Sequence, residues 1–305
     1  MRAPRSRRLL AATASALALG LLPACSGDGP PREAPSPSGD RAGGRHLALH
    51  GAVNVRDLGG YRTGEGERVR TGRVFRADSL NRLTEADTRK LSRLDLRTVV
   101  DLRTPSEVRH DGRDRLPDGL TVTARPVDDL GLYARTREAI GAKDPERQRQ
   151  LLGDGKARKL MRAVYRNFVT DAAGRRQFAR VVRDVAEGGT SPLLFHCTSG
   201  KDRTGWLGYV LLRAVGVPAA TAEKDYLASN TYRAGADRRT REGLRKSGMM
   251  KQPELLDGLL EVRRAYLDAA LAQAEEDYGG FRGYLTEGLG LDARTLERLR
   301  GRLLR

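Results

Sequence analysis

His196-Cys197-Thr198-Ser199-Gly200-Lys201-Asp202-Arg203-Thr204-Gly205 follows the apolar run Pro192-Leu193-Leu194-Phe195 and precedes Trp206-Leu207-Gly208-Tyr209-Val210-Leu211-Leu212. A short apolar run, a polar loop containing glycine and a longer apolar-rich segment together read as a buried strand, a tight turn and the opening of a helix. Such a turn gathers backbone N–H groups and the positive end of a helix dipole around one concave space. That makes an anion site before any side chain is counted. A cysteine stands at its start and an arginine six residues later.

Upstream of the loop, Thr98-Val99-Val100-Asp101-Leu102 reads as a strand stopped by Pro105, and Arg73-Val74-Phe75-Arg76 as a shorter one after a Thr71-Gly72 turn. Leu120-Thr121-Val122-Thr123-Ala124 alternates as a half-buried strand should. His46-Leu47-Ala48-Leu49 and Ala52-Val53-Asn54-Val55 offer strand-like runs around Gly51. Thr84, with Asp87 three residues on, caps a helix through Leu94 that turns Leu83, Leu91 and Leu94 inward. Residues 130–170 are helical and polar, broken by Gly131, Gly141, Pro145, Gly153 and Gly155. Leu160, Met161, Val164, Tyr165 and Phe168 line one helix face there. This segment is either packed core or a mobile lid over a site. Residues 174–187 form a further helix ended by Gly188-Gly189.

After the loop, helices are expected from Pro218 with Tyr226 and Leu227 inward, as one long element over Leu255–Ala274, and from Asp292 as N-cap. Strands separated by helices predict an α/β fold: a central, mostly parallel sheet flanked by helices, with a helical C-terminal extension. Ligands of such folds bind at the carboxyl ends of the strands, where Cys197 lies.

The chain has 305 residues, 39% of them apolar, enough for a substantial core. Its formal charge is +17, which favours anionic partners, although arginines scattered over solvated faces give the same total. Basic-aromatic interleaving of the kind that binds nucleic acid is absent. Residues 1–24 have a basic start (Arg2, Arg5, Arg7, Arg8) and an apolar centre from Leu9 to Leu22, as an export signal does, and are short for a membrane span. Leu22-Pro23-Ala24-Cys25 resembles a bacterial lipobox, with Pro23 an unusual occupant, and implies lipidation of Cys25; ordinary cleavage is the alternative. Ser6-Arg7-Arg8-Leu9-Leu10 resembles a twin-arginine signal, with the general export route as its rival. Residues 25–45, rich in Pro, Gly and Ser, read as a flexible tether, and residues 46–305 as the folded domain. The protein is therefore expected to be exported, either secreted or held at the membrane surface by a lipid.

Cys25 and Cys197 are the only cysteines. If the first is acylated, the second has no disulfide partner, and a lone thiol in an oxidising compartment calls for a chemical reason. A thiol at a helix N-terminus beside cations forms a thiolate readily; Cys197 has the helix start, with Lys201 and Arg203 nearby. Arg203 offers a planar fork for two phosphoryl oxygens, and amides from Thr198 to Arg203 can hold the rest. Displacing an alkoxide or phenolate then needs an acid, and hydrolysing a cysteinyl-phosphate needs a base. Asp202 is the nearest candidate, and Thr204 can hydrogen-bond the thiolate.

The sequence His-Cys-x5-Arg followed by Thr-Gly resembles the signature of cysteine-dependent protein tyrosine and dual-specificity phosphatases. Its Gly-Lys-Asp-Arg form resembles the bacterial tyrosine-protein phosphatase family in particular. Asn54-Val55-Arg56-Asp57-Leu58-Gly59-Gly60, Val74-Phe75-Arg76-Ala77, Val99-Val100-Asp101-Leu102-Arg103 and Asp277-Tyr278-Gly279-Gly280-Phe281 look like further elements of that family. The resemblance implies Cys197 as nucleophile, Asp202 as general acid and Arg203 as phosphate binder, with Thr198, Ser199, Gly200, Lys201 and Thr204 completing the phosphate loop. Many relatives take the acid from a separate upstream loop, which leaves Asp128 and Asp129 open as alternatives. Asp57 and Asp101 either orient arginines or serve structure alone.

Phosphotyrosyl protein is the first substrate class. Phosphoinositides or phosphoserine/threonine come next, because Lys201 adds a cation suited to multiply phosphorylated ligands. No cofactor is required; His46, His50 and His110 lack metal-ligand spacing, and His196 is expected to shape the loop. A phosphate-binding module without turnover is a rival reading, and a thiol redox protein would need a resolving cysteine.

Overall fold

A computed structural model describes residues 46–305. The proposed leader, Cys25 and the tether lie outside the described residues. Five strands, β1 (Arg56–Asp57), β2 (Val74–Ala77), β3 (Thr98–Asp101), β4 (Val122–Ala124) and β5 (Leu193–His196), form one sheet in the order β1-β2-β5-β3-β4. All pairs are parallel except β1 with β2. The three central strands end in register, Ala77 and Asp101 both opposite His196. The residues that follow them, Asp78, Leu102 and Cys197, therefore emerge side by side at one edge of the sheet.

Alternation along the strands explains the layering. Val74, Val100, Leu193 and Phe195 face the larger apolar core, whereas Phe75, Val99 and Leu194 face a smaller one with Val55, Leu80, Leu83 and Leu91. The smaller layer is covered by α1 (Glu85–Ser92), whose Thr84 and Asp87 form a reciprocal capping box. Helix α2 (Pro105–Asp111) begins with a second capping box, Thr104 with Glu107, and Pro105 occupies its first turn. The proline that was expected only to stop β3 thus starts a helix, where its missing N–H costs nothing.

The segment 130–170 forms α3 (Leu132–Ala142), α4 (Pro145–Leu152) and α5 (Lys156–Thr170), followed by α6 (Ala172–Glu187). Met161, Val164, Tyr165 and Phe168 are buried as their spacing requires, with Leu160 at the margin. Beyond the loop come α7 (Arg203–Ala214) and the 28-residue α8 (Ala219–Lys246). The C-terminal part comprises α9 (Asp257–Leu260), α10 (Arg264–Tyr278), the short α11 (Phe281–Gly283) and α12 (Ala293–Leu303), capped by Asp292.

Three expectations are corrected. Residues 47–55 form no strand; His46 makes a single bridge to Arg56, and pairing begins at the charged dipeptide Arg56–Asp57. β4 is an exposed edge strand instead of a half-buried one, with Val122 42% exposed, because β3 is its only neighbour among the described strands. The single helix over Leu255–Ala274 is split at Glu261–Arg263. There Asn230 of α8 takes over the backbone of Val262, accepting its N–H at 2.8 Å and donating to its carbonyl at 2.9 Å. Those groups are thereby withdrawn from the helical ladder.

Candidate active site

Cys197 leaves the end of β5 and is 1% exposed, a free thiol on the wall of a cleft of about 700 Å³. That volume is typical of small-molecule sites. Thr198, Ser199, Lys201, Asp202 and Arg203 line the same cleft, and Arg203 opens α7. No backbone N–H from Thr198 to Asp202 donates to another group among the described residues, so these donors are available to a bound anion. Gly200 has φ +62, and a Cβ there would lie 2.4 Å from the Ala77 carbonyl oxygen. Only glycine fits this turn.

Arg203 is fixed by Glu107 of α2. Its Nη1 donates to Oε2 at 2.7 Å and its Nη2 to Oε1, while the Leu102 and Val127 carbonyls accept from Nη1 at 3.2 Å. Glu107 also accepts from Thr198 Oγ1 and from the Thr104 N–H. Burial alone would raise the Glu107 carboxyl, but the guanidinium outweighs it and brings it down to about 2. Burial likewise opposes charge on Arg203, and Glu107 raises it instead. A planar fork with one edge held by a carboxylate keeps its orientation when a phosphoryl group arrives.

Beneath the loop, two fully buried arginines share one aspartate. Arg56 Nε and Arg76 Nη1 donate to Asp225 at 2.8 and 2.7 Å, and Tyr61 adds a hydroxyl at 2.9 Å. Arg76 and Asn54 in turn hold the Gly200 carbonyl at 2.9 and 2.7 Å. Desolvation, then the charge of Arg56, brings Arg76 down to about 10; burial pushes Asp225 up, but the two arginines prevail and hold it at about 2. On the other flank, Arg103 is clasped by Asp101 and Asp114, and Asp114 meets His196 Nε2 at 2.8 Å. Burial disfavours the imidazolium, yet Asp114 raises His196 overall. Asp101, Asp114 and His196 lie within metal-ligating distance of one another, but the Arg103 guanidinium already bridges both carboxylates, which suits no cation.

Asp202 is near the cleft surface. Both its oxygens accept from Lys201 Nζ, at 2.9 and 2.8 Å, and Oδ1 accepts from Tyr165 at 3.0 Å. Lys201 is therefore folded onto its neighbour, 2% exposed. Of the alternatives, Asp129 lines the cleft and caps the start of α3 through Gly131 and Tyr133 N–H. Asp128 is exposed and bonds its own loop at Leu130. The Thr204 hydroxyl, expected on the thiolate, is buried and has no hydrogen-bond partner among the described residues, leaving its proton uncommitted there. Asp101 does orient an arginine; Asp57 braces the glycine turn through Gly59 and Gly72 N–H.

Residues 47–305 match the family model described as "Tyrosine phosphatase family". The chain belongs to that family. It is 34% identical over 283 residues to the triple specificity protein phosphatase PtpB of Mycobacterium tuberculosis, covering 84% of this chain and 98% of that one. A tyrosine-protein phosphatase of Nostoc commune is 30% identical over 238 residues, 75% of this chain and 73% of its own. The family's loop signature is what the sequence displayed. Glu107 and Asp225, buried at the loop, and Asp114 and Asp78, partly buried beside it, are not legible in that signature. The pattern Thr104-Pro105-Ser106-Glu107 does announce a capped helix, and a carboxylate with spare oxygens after β3 was the available signal.

Proposed function

We propose that the chain hydrolyses phosphotyrosine through a cysteinyl-phosphate. Cys197 Sγ forms a bond to phosphorus as the P–O ester bond breaks, and Asp202 delivers a proton to the leaving phenolate oxygen. Water then attacks phosphorus, the S–P bond breaks, and Asp202 takes the water proton. Arg203 and the amides of Thr198, Ser199, Gly200, Lys201 and Asp202 hold the equatorial oxygens, and Thr204 serves the departing thiolate in the second step. The observation that carries this reading is the pairing of Cys197 with a Glu107-clamped Arg203 in one cleft. Cys197→Ser should abolish turnover of an aryl phosphate and leave vanadate-sensitive binding in place; retained hydrolysis would exclude the mechanism.

Phosphoinositides are a second reading, supported by the apolar part of the cleft lining. Ile140, Leu244, Met249, Leu256 and Leu259 line the same cleft as the loop, an apolar contribution that suits a substrate with an acyl or aryl extension. Turnover of a phosphotyrosyl peptide against that of a phosphoinositide separates the two. Export and lipid attachment at Cys25 are likewise proposals, resting on the leader sequence; globomycin-sensitive processing and a mass shift of the mature N-terminus would test them.

A further inference from the structure

Two buried phenols unused by this chemistry stand behind Asp202. Tyr165 of α5 and Tyr226 of α8 are both 0% exposed. The Tyr165 hydroxyl donates to Asp202 Oδ1 at 3.0 Å, and the Tyr226 hydroxyl lies 2.9 Å from that of Tyr165 and 3.3 Å from the Arg263 carbonyl. Burial, joined by the charge of Asp202, keeps both phenols well above their usual range, so both remain protonated. A hydroxyl has one proton. Tyr165 commits its own to the carboxylate, the stronger acceptor, and its oxygen then accepts from Tyr226 at the shorter of the two distances. The chain runs one way, from Tyr226 to Tyr165 to Oδ1.

Lys201 bonds both carboxylate oxygens, Tyr165 only Oδ1. We propose that Tyr165, backed by Tyr226, is a positioning residue that reserves Asp202 Oδ2 as the proton-carrying oxygen. When a phosphoryl group draws the Lys201 ammonium away, Oδ2 is vacated and Oδ1 stays tethered. The tether at Oδ1 resists rotation of the carboxyl, and the proton that the group takes up from solvent once the ammonium has left sits on the free oxygen. As the S–P bond forms and the P–O bond breaks, that proton passes from Oδ2 to the leaving oxygen. In the second step the attacking water returns a proton to the same atom. This rests on the assignment of Asp202 as the acid.

The test compares kcat/KM for phenyl phosphate, whose leaving group needs a proton, with that for 2,4-dinitrophenyl phosphate, whose leaving group does not. Positioned general acids contribute about 10²–10⁴-fold. Tyr165→Phe, which removes one oxygen and keeps the ring, should lose about tenfold or more on phenyl phosphate and less than twofold on the dinitrophenyl ester. Tyr226→Phe should show the same selectivity in smaller measure, and it decides the matter if Tyr165→Phe fails to fold. Equal losses on both esters, or no loss on either, overturn the positioning role. Asp202→Asn is run beside them. If it shows the leaving-group selectivity and the tyrosine variants do not, the inference alone fails; if it shows none, the assignment of Asp202 fails first.

Discussion

Asp78 follows the last residue of β2 and lies beside Cys197 at the sheet edge, lining the cleft. Its Oδ1 accepts the Val53 N–H at 2.7 Å, and Arg233 is 3.7 Å from Oδ2. Desolvation dominates these two favourable contacts and raises the carboxyl from 3.8 to about 7. Below pH 4 both folded and unfolded chains hold the proton, and the group is neutral to stability. Between pH 4 and 7 the unfolded chain ionises first, so stability falls as pH rises; above 7 the loss is complete. Three pH units at about 1.4 kcal/mol each set a ceiling of about 4 kcal/mol. The 16% of the side chain that meets solvent reduces the expected effect to about 2 kcal/mol. Asp78→Asn retains an acceptor for Val53 and has no proton to lose. Urea unfolding of both proteins at intervals from pH 4.5 to 8 should give a stability difference that grows in favour of the variant by about 2 kcal/mol. A difference that stays flat over that range would refute the argument that burial sets this carboxyl.

Glu107→Gln leaves the Arg203 guanidinium buried without its carboxylate. Breaking a buried pair costs about 3–5 kcal/mol, so the variant should unfold at lower urea and lose kcat/KM on aryl phosphates; unchanged values of both would contradict the clamp. Gly200→Ala forces a Cβ toward the Ala77 carbonyl at a left-handed φ. A displacement near 1 Å in a phosphate cradle lowers turnover by about a hundredfold, measurable with any aryl phosphate; activity within a few-fold of the parent would show that the turn can relax.

The parts of this molecule that were legible in the sequence are those decided locally. Leu193–His196 and Thr98–Asp101 are apolar runs because their strands are covered on both faces. The phosphate loop is legible because its nucleophile, turn glycine and arginine sit within seven residues. What escaped depends on partners far along the chain. Glu107 meets Arg203 across 96 residues, and Arg76 meets Asp225 across 149. Neither pairing leaves a periodicity or spacing to read. The break at Glu261–Arg263 has the same origin, since helix propensity there is overridden by the side chain of Asn230. The ring of Tyr165 packs in the apolar stripe that its spacing predicts; only its hydroxyl has a second role.

The two arginines that share Asp225 leave one positive charge enclosed under the loop, and mobile ions cannot reach it. Surface cations lose their pull on a phosphate over about 8 Å at physiological ionic strength. A charge walled in by Tyr61, Asn54 and the Gly200 carbonyl is not screened in that way. The attraction it exerts on an anion in the loop should therefore persist in concentrated salt, where a phosphatase relying on an exposed basic rim would release its substrate.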